Sequence, residues 1–464
     1  MPLRSAKNAI QEAWASSLPE DLVRRWNERE GFRGIILNTG WLIGDRIVAV
    51  VVALAVSVAV VRYLGPDRLG AYQYALAFCA LMAPIAQLGL DGIVVRNLVE
   101  HEGDRDQILG TSFLLMLATS VVLIPIGVLA VTLLQPNSDV APRLVGIMMI
   151  PLVIQSTNVI DYFFRARVQS KYTVWSTKIS LMATAALTFG LIAFGAPLVM
   201  FAWTTVADAA IAATGLLVFY RRSGHRILAW MWNRQRAIEL LADSWPLMIA
   251  AIAGRIYSRI GVLILGQMSG QEAVGIYSVA LRLSEPWYFI TLAIVSSVFP
   301  SIIRARREKD RVHYEKRIQL LYDLMATIGY AVAIPMTFLA TPLVVLLFGQ
   351  SFEQAGPILA VHIWVFVFIS IGMARSNWLV AENLVRLYMA ITLLGAVLSI
   401  LLCWLLIPRF GGLGVAIAAV GAQAFMAIFS SLLSKDLWPV FRQTVRALLV
   451  PFRFRSFLRS MAEL

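Results

Sequence analysis

Cysteine, histidine and charge are all scarce in this 464-residue chain. Its two cysteines, Cys79 and Cys403, both lie inside apolar runs, which leaves no support for a disulfide or a paired-cysteine metal site. The four histidines, His101, His225, His313 and His362, are scattered with no spacing that a metal could use. No Walker loop occurs, so direct driving by ATP has no sequence support. No catalytic constellation is present, and neither a cofactor nor a metal is expected. Charged residues make up only 14% of the chain and hydrophobic ones 59%. Soluble domains carry about 25% charged residues, so a soluble globule is excluded. A cleavable leader is not expected, because the first thirty-odd residues are mixed and charged. The first apolar run is also too long and lacks a small-residue cleavage site.

What the chain does have is long apolar runs. Bilayer hydrocarbon is about 30 Å thick, so roughly 20 apolar residues of helix cross it. Twelve such runs are read, at 34–61, 68–90, 109–134, 143–164, 173–194, 197–220, 243–267, 273–300, 319–348, 356–381, 387–407 and 412–434. The fold class expected is an all-α polytopic membrane protein of about twelve transmembrane helices. They would form two pseudo-symmetric six-helix bundles, 34–220 and 243–434, around a central cavity, joined by a basic cytoplasmic linker at 221–242. Residues 1–33 place Trp14, Leu18, Leu22 and Trp26 at helical spacing beside Arg24, Arg25 and Arg29, the pattern of an amphipathic helix on the membrane surface or of a solvated tail. The tail at 435–464 alternates Phe441, Leu448 and Phe452 with Arg442, Arg446 and Arg453, and reads as a cytoplasmic amphipathic segment drawn to anionic lipid.

A net charge of +13 raises the question of nucleic acid, and the placement of that charge answers it in the negative. Of the 40 basic residues, thirty fall in the two tails and the longer loops on one side, among them 221–236 and 304–317. Only Arg62, Arg68, Arg143 and Arg409 fall on the side of the short turns. The positive-inside rule then puts both termini in the cytoplasm.

The chain also repeats itself. Offset by 205 positions, Gly-Pro-Asp-Arg-Leu-Gly-Ala-Tyr-Gln-Tyr-Ala-Leu at 65–76 overlays Gly-Gln-Glu-Ala-Val-Gly-Ile-Tyr-Ser-Val-Ala-Leu at 270–281. Six spans separate the copies, an even number, so both halves share one orientation and a site is expected between them.

Several of these stretches resemble a known family. They are Asn38 with Asp45-Arg46 in the first span, Arg62-Tyr-Leu-Gly-Pro66 with Gly70-Ala-Tyr72, Leu88-Gly-Leu-Asp-Gly92 with Arg96, Gly270 with Gly275-Ile-Tyr-Ser278, and the turn Leu347-Phe-Gly-Gln-Ser-Phe-Glu-Gln-Ala355. Together, over roughly 34–434, they are similar to the Wzx-type oligosaccharide flippases of the multidrug/oligosaccharidyl-lipid/polysaccharide exporter superfamily. The resemblance implies a V-shaped pair of six-helix bundles whose cavity opens to either side in turn. It implies an undecaprenyl-pyrophosphate-linked oligosaccharide as cargo, carried from the cytoplasmic to the periplasmic leaflet of a bacterial inner membrane for O-antigen, capsule or exopolysaccharide assembly. A polysaccharide polymerase and a chain-length regulator would be its partners beside the lipid bilayer itself. Family members often carry an acid shortly after the span-7 arginine. Here Arg259-Ile-Gly261 lacks it, which speaks against a coupling scheme that needs a carboxylate at that point.

Six basic residues fall inside spans: Arg46, Lys178, Arg255, Arg259, Arg282 and Arg375. A charge at that depth costs about 3 kcal/mol on insertion scales, so it faces protein or a wet cavity. Arginine's planar donor fork suits a pyrophosphate. Arg46, Arg255, Arg259 and Arg282 are therefore the candidate phosphate contacts. Arg255 and Arg259, spaced i, i+4 on one helix face, have no acid nearby in sequence and favour substrate. Arg282, with Glu285 one turn away, serves equally well as half of a structural ion pair. Lys178 and Arg375, near the cytoplasmic ends, would do no more than snorkel. Asp45, Asp208 and Glu285 are the candidate ion- or proton-coupling groups. Asn158, with Gln155, Asp161 and Tyr162, gives span 4 a polar face, either toward sugar or toward neighbouring helices. Gly40 and Gly44 in span 1, with Pro246 and Gly254 in span 7, read either as gating flex points or as helix-packing positions. The rivals are a cationic-drug exporter, which would want acidic groups in the cavity, and a lipid II flippase, whose usual span count is higher. A membrane polysaccharide polymerase would need a larger loop on the short-loop side than any present.

Overall fold

In hydrocarbon every backbone N–H and C=O must find its partner within the protein, and a helix satisfies all of them locally. The computed structural model follows that rule. Its described residues, 30–307, 311–382, 384–428 and 438–453, form helices and no strands. Side chains are described from Val51 onward, except at 299–301, 303–313, 380, 381 and 385. The tail motif around Trp14 to Trp26 and the side chains of Asp45 and Arg46 therefore lie outside the described residues. In order the helices are α1 (Glu30–Ala86), α2 (Leu90–Glu100), α3 (Arg105–Leu134), α4 (Val140–Ile154), α5 (Val159–Ala166), α6 (Lys171–Ala193) and α7 (Leu198–Arg222). Then follow α8 (Arg234–Ser284), α9 (Tyr288–Arg307), α10 (Arg311–Phe348), α11 (Ala355–His362), α12 (Val365–Ala381), α13 (Val385–Ala427) and α14 (Trp438–Leu448). The chain divides into two compact units, Met1–Ala55 and Val56–Leu464. The first contributes the opening stretch of α1, and the second carries every other element.

Nine helical stretches among the described residues are long and apolar enough to cross a membrane. Twelve spans are expected, and three of the nine stretches each contain an abrupt turn. Helix α1 breaks at Gly65, α8 at Gly270 and α13 at Gly411, with φ of 71°, 84° and 53°. These are the turns expected after spans 1, 7 and 11. A Cβ at such φ crowds the following carbonyl, so glycine lets the chain change direction within a residue or two.

Four of the expected spans also bend inside their apolar runs. Span 2 breaks between α1 and α2, where Leu88 and Gly89 take φ of 52° and 65°. Span 4 passes through a 3-10 turn, Gln155–Asn158, between α4 and α5, and span 8 through Glu285–Trp287 between α8 and α9. Span 10 breaks at 363–364, between α11 and α12. The causes are local. Ser156 and Thr157 bond back to the Val153 and Ile154 carbonyls, and Pro286 has no N–H to continue a helix. In each half the two breaks are tied together. Gln87 Nε2 donates to Gln155 Oε1 at 3.3 Å, and Ser284 Oγ lies 2.8 Å from His362 Nδ1.

The largest apolar cluster takes residues from both sequence repeats: Val61, Leu69 and Tyr74 pack with Leu265, Val274 and Val279. The stretch 221–242, expected as a basic linker, is not a free tether. Met231 N donates to Asp106 O (3.1 Å) and Asn233 N to Thr111 Oγ1 (3.0 Å), both on α3. Asn233 Oδ1 then caps α8 by accepting from Arg236 N, and the Arg236 guanidinium reaches Asp104 at 2.6 Å. Helix α14 likewise finds a protein surface. Its Val440, Thr444 and Ala447 are buried, and Tyr330 and Gln319 of α10 donate to its Leu448 and Gln443 carbonyls. Arg453, just beyond, pairs with Asp323 at 3.4 Å. Trp438, Leu449 and Phe452 remain exposed on the other faces. The tail expected to lie on lipid thus docks one face on α10.

Candidate functional site

Arg282 sits in the last turn of α8, just ahead of the span-8 break. It is half-buried. Its Nη1 donates to Ser57 Oγ of α1 at 2.5 Å, and its Nε is buried with no hydrogen-bond partner among the described residues. Tyr72 and Glu285 are the titratable groups near it. A guanidinium has five N–H donors, so a serine oxygen leaves most of its capacity unused. Glu285, expected to serve Arg282 from one turn away, turns to Arg259 instead. Arg259 Nη1 lies 3.2 Å from Oε1 and Nη2 3.3 Å from Oε2, a two-pronged pairing between α8 and the 3-10 turn that follows it. Both side chains are about one-third exposed, at 31% and 35%. Arg255, one turn earlier, is exposed and has no ion pair among the described residues. The two arginines that share a helix face therefore differ in state, one neutralised and one not.

The remaining candidates sort by partner. Asp208 on α7 accepts from buried Ser180 of α6, Oγ to Oδ1 at 2.5 Å. Asn158 closes the 3-10 turn of span 4, half-buried, and makes no side-chain hydrogen bond among the described residues. Its neighbours face other helices: Gln155 is taken by Gln87, and Asp161 accepts from Thr173 (2.6 Å) and pairs with Arg165 (3.0 Å). Tyr162 is buried. Lys178 is half-buried on α6. Arg375 does not snorkel. It is 4% exposed, and its Nη1 donates to the carbonyl of Ala427, the last residue of α13. A cation there complements the open carbonyls and negative end of that helix.

A cavity of about 80 Å³ opens beside the Arg259–Glu285 pair, between α8, the start of α9, α11, α12 and α13, lined by Tyr257, Tyr288, His362, Ser399 and Gln423 among others. His362 carried no sequence signal. It is buried, holds Ser284, and meets the Tyr277 ring edge-on at 5.9 Å. Arg62 was equally unmarked as a contact. Its Nε and Nη2 donate to the Leu347 and Leu346 carbonyls, at 2.7 and 2.6 Å, in the last turn of α10. No group of three or more His, Cys, Asp or Glu side chains among the described residues could hold a metal. Chemically the described residues offer one half-buried cation with unused donors, one exposed cation without an ion pair, and a salt-bridged pair beside a polar cavity, with no nucleophile held by a base among them. It can bind an anionic, hydroxyl-rich ligand.

The chain matches the family described as polysaccharide biosynthesis protein over residues 35–306. Over residues 185–456 it also matches the family described as lipid II flippase MurJ. It is 24% identical over 408 residues to the succinoglycan biosynthesis transport protein ExoT of Rhizobium meliloti (strain 1021), covering 86% of this chain and 76% of that one. Among solved structures, it superposes on the inward-facing conformation of a multidrug resistance MATE family transporter of the MOP superfamily. The TM-score is 0.72 at 16% identity, over 86% of this chain and 95% of that one. Lipid II flippase MurJ in its inward closed conformation gives a TM-score of 0.71 at 13% identity, over 90% and 94%. The fold is that of these transporters.

Proposed function

Starting from a chain that belongs to the polysaccharide biosynthesis protein family and is a multi-pass membrane transporter rather than an enzyme, we propose that it flips a lipid-linked oligosaccharide between leaflets. The cargo in this reading is an undecaprenyl-pyrophosphate-linked repeat unit, carried from the cytoplasmic to the periplasmic leaflet by alternating access. Arg282 is the observation that carries the reading: a half-buried guanidinium that donates to Ser57 of span 1, whose Nε is buried with no hydrogen-bond partner and which has no ion pair among the described residues. Holding a charge at bilayer depth without a counter-charge is costly. A pyrophosphate would supply the missing acceptors. Arg255 offers a second, exposed contact; Arg46, a further candidate from the sequence, has its side chain outside the described residues. Arg259 contributes as half of its pair with Glu285, whose donors and acceptors suit sugar hydroxyls as well as phosphate. Asn158 has no competing side-chain hydrogen bond among the described residues and would meet the glycan. For coupling, Glu285 and Asp208 are the candidates with described partners, and Asp45 the third.

The test is complementation of a deletion strain. Losing one hydrogen bond to a charged group costs about 1.5–3 kcal/mol, or roughly 10- to 150-fold in affinity. Arg282→Ala should therefore abolish surface polysaccharide at normal protein levels, and Arg282→Lys should restore only part of it, because lysine lacks the fork. The lipid-linked unit should accumulate on the cytoplasmic leaflet. Wild-type polysaccharide from Arg282→Ala would end the reading. A second reading, a lipid II-type flippase, is supported by the family match over residues 185–456. Rescue of peptidoglycan precursor transport instead of surface glycan would select it.

A further inference from the structure

The two turn-helix junctions that overlay in sequence also meet in space. A methyl group added to Gly70 would lie 1.7 Å from the carbonyl oxygen of Gln271 and 3.0 Å from the nitrogen of Gly275. One added to Gly275 would lie 1.9 Å from the carbonyl oxygen of Pro66 and 3.1 Å from the nitrogen of Gly70. At the repeat offset Gln271 corresponds to Pro66, and Gly275 to Gly70. Each glycine thus receives the carbonyl of the other copy's turn, and no side chain larger than hydrogen fits at either position. Around this crossing further bonds join the first half to the second. Gln271 Nε2 donates to Gln135 Oε1, and Gln267 Nε2 to Tyr74 Oη, both at 2.9 Å. The Arg62 guanidinium spans from α1 to the last turn of α10. All of these contacts lie at the short-loop end, and none of them is an ion pair.

We propose that this reciprocal glycine crossing is the gate at the short-loop end, closed in this structure and parted when the transporter opens to that side. The inference rests on the transport reading and adds to it the surface that must separate. Backbone packed on backbone gains from close dispersion contact and Cα–H···O approach, each weak, and a parting of about 0.5–1 Å already forfeits roughly a quarter to a half of the dispersion gain. Such a contact is shut or open with little between, and its hold depends on fit rather than on ionic strength.

Two independent experiments test it. In a background with Cys79 and Cys403 replaced by alanine, Gln135→Cys and Gln271→Cys put a thiol on each side of the crossing. Oxidation should abolish glycan export, and a reducing agent should restore it. Separately, Gly70→Ala and Gly275→Ala introduce overpacking that should favour the parted state roughly 5- to 150-fold. A membrane-impermeant maleimide added from the short-loop side should then label a Ser57→Cys reporter faster by a similar factor, whereas Gly190→Ala, whose methyl meets nothing within 4 Å, should not change the rate. Export that continues through the oxidised cross-link, or alanine variants that label like the parent, would overturn the gate. Because the labelling is read without substrate, a response as expected in a strain whose surface glycan never depended on this protein would overturn the transport reading alone.

Discussion

Glu285 has two arginines within reach along the chain and chooses the more distant one in sequence. The pair it makes with Arg259 is one-third exposed, so solvent screens it and its worth to stability is about 0.2–1 kcal/mol. This separates two roles. Exchanging the partners, Arg259→Glu with Glu285→Arg, should recover the thermal stability lost in either single variant. Export should stay lost if the arginine position itself meets the cargo, and recovery of both would leave the pair purely structural. A second residue-scale expectation concerns His225, outside the membrane-spanning segments. Burial, then the cations Arg105 and Arg167, hold its imidazole below its ordinary 6.5. Protonation therefore favours the unfolded chain: the stability His225 contributes is present above the unfolded value and is lost as pH falls below it. Thermal unfolding followed from pH 7 to pH 5 should show a decline in midpoint that is shallower in His225→Phe.

At the scale of elements, α14 sets a docking face against an exposed one. Val440→Asp would bury an unpaired carboxylate against α10, a change of the kind that costs several kcal/mol, and should release the tail. Leu449→Asp, on a residue 47% exposed, should leave it docked. Limited proteolysis reads the difference as early cleavage after residue 427 in the first variant only. The elements also show what a single sequence can display. Gly65 and Gly270 were legible because the chain states the same turn twice, whereas the span-8 break was not, since 273–300 reads as one apolar run. The choice of Arg259 by Glu285 was not legible. It joins residues 26 apart through a helix reversal, while spacing along one helix pointed to Arg282. His362 gave no signal at all, since a buried histidine serving a serine looks in sequence like any stray polar residue. The amphipathic pattern of α14 was plain, but periodicity says that a face will be covered, not whether lipid or protein covers it.

At the scale of the whole molecule, the distribution of basic residues fixes an expected orientation with both termini in the cytoplasm. A phosphatase fused after residue 453 should be inactive and a fluorescent protein there bright, whereas phosphatase inserted at 136–139 should be active. The opposite pattern would reverse the direction in which the proposed cargo moves.

The clasp between the linker and α3 has a further consequence. Met231, Asn233 and Arg236 are held to the first half by hydrogen bonds that do not depend on covalent continuity with α7. Gly224, exposed and at φ 83°, lies upstream of all three. The gene could be severed at that codon and its two products expressed separately, and the second fragment would carry its own address label for the first.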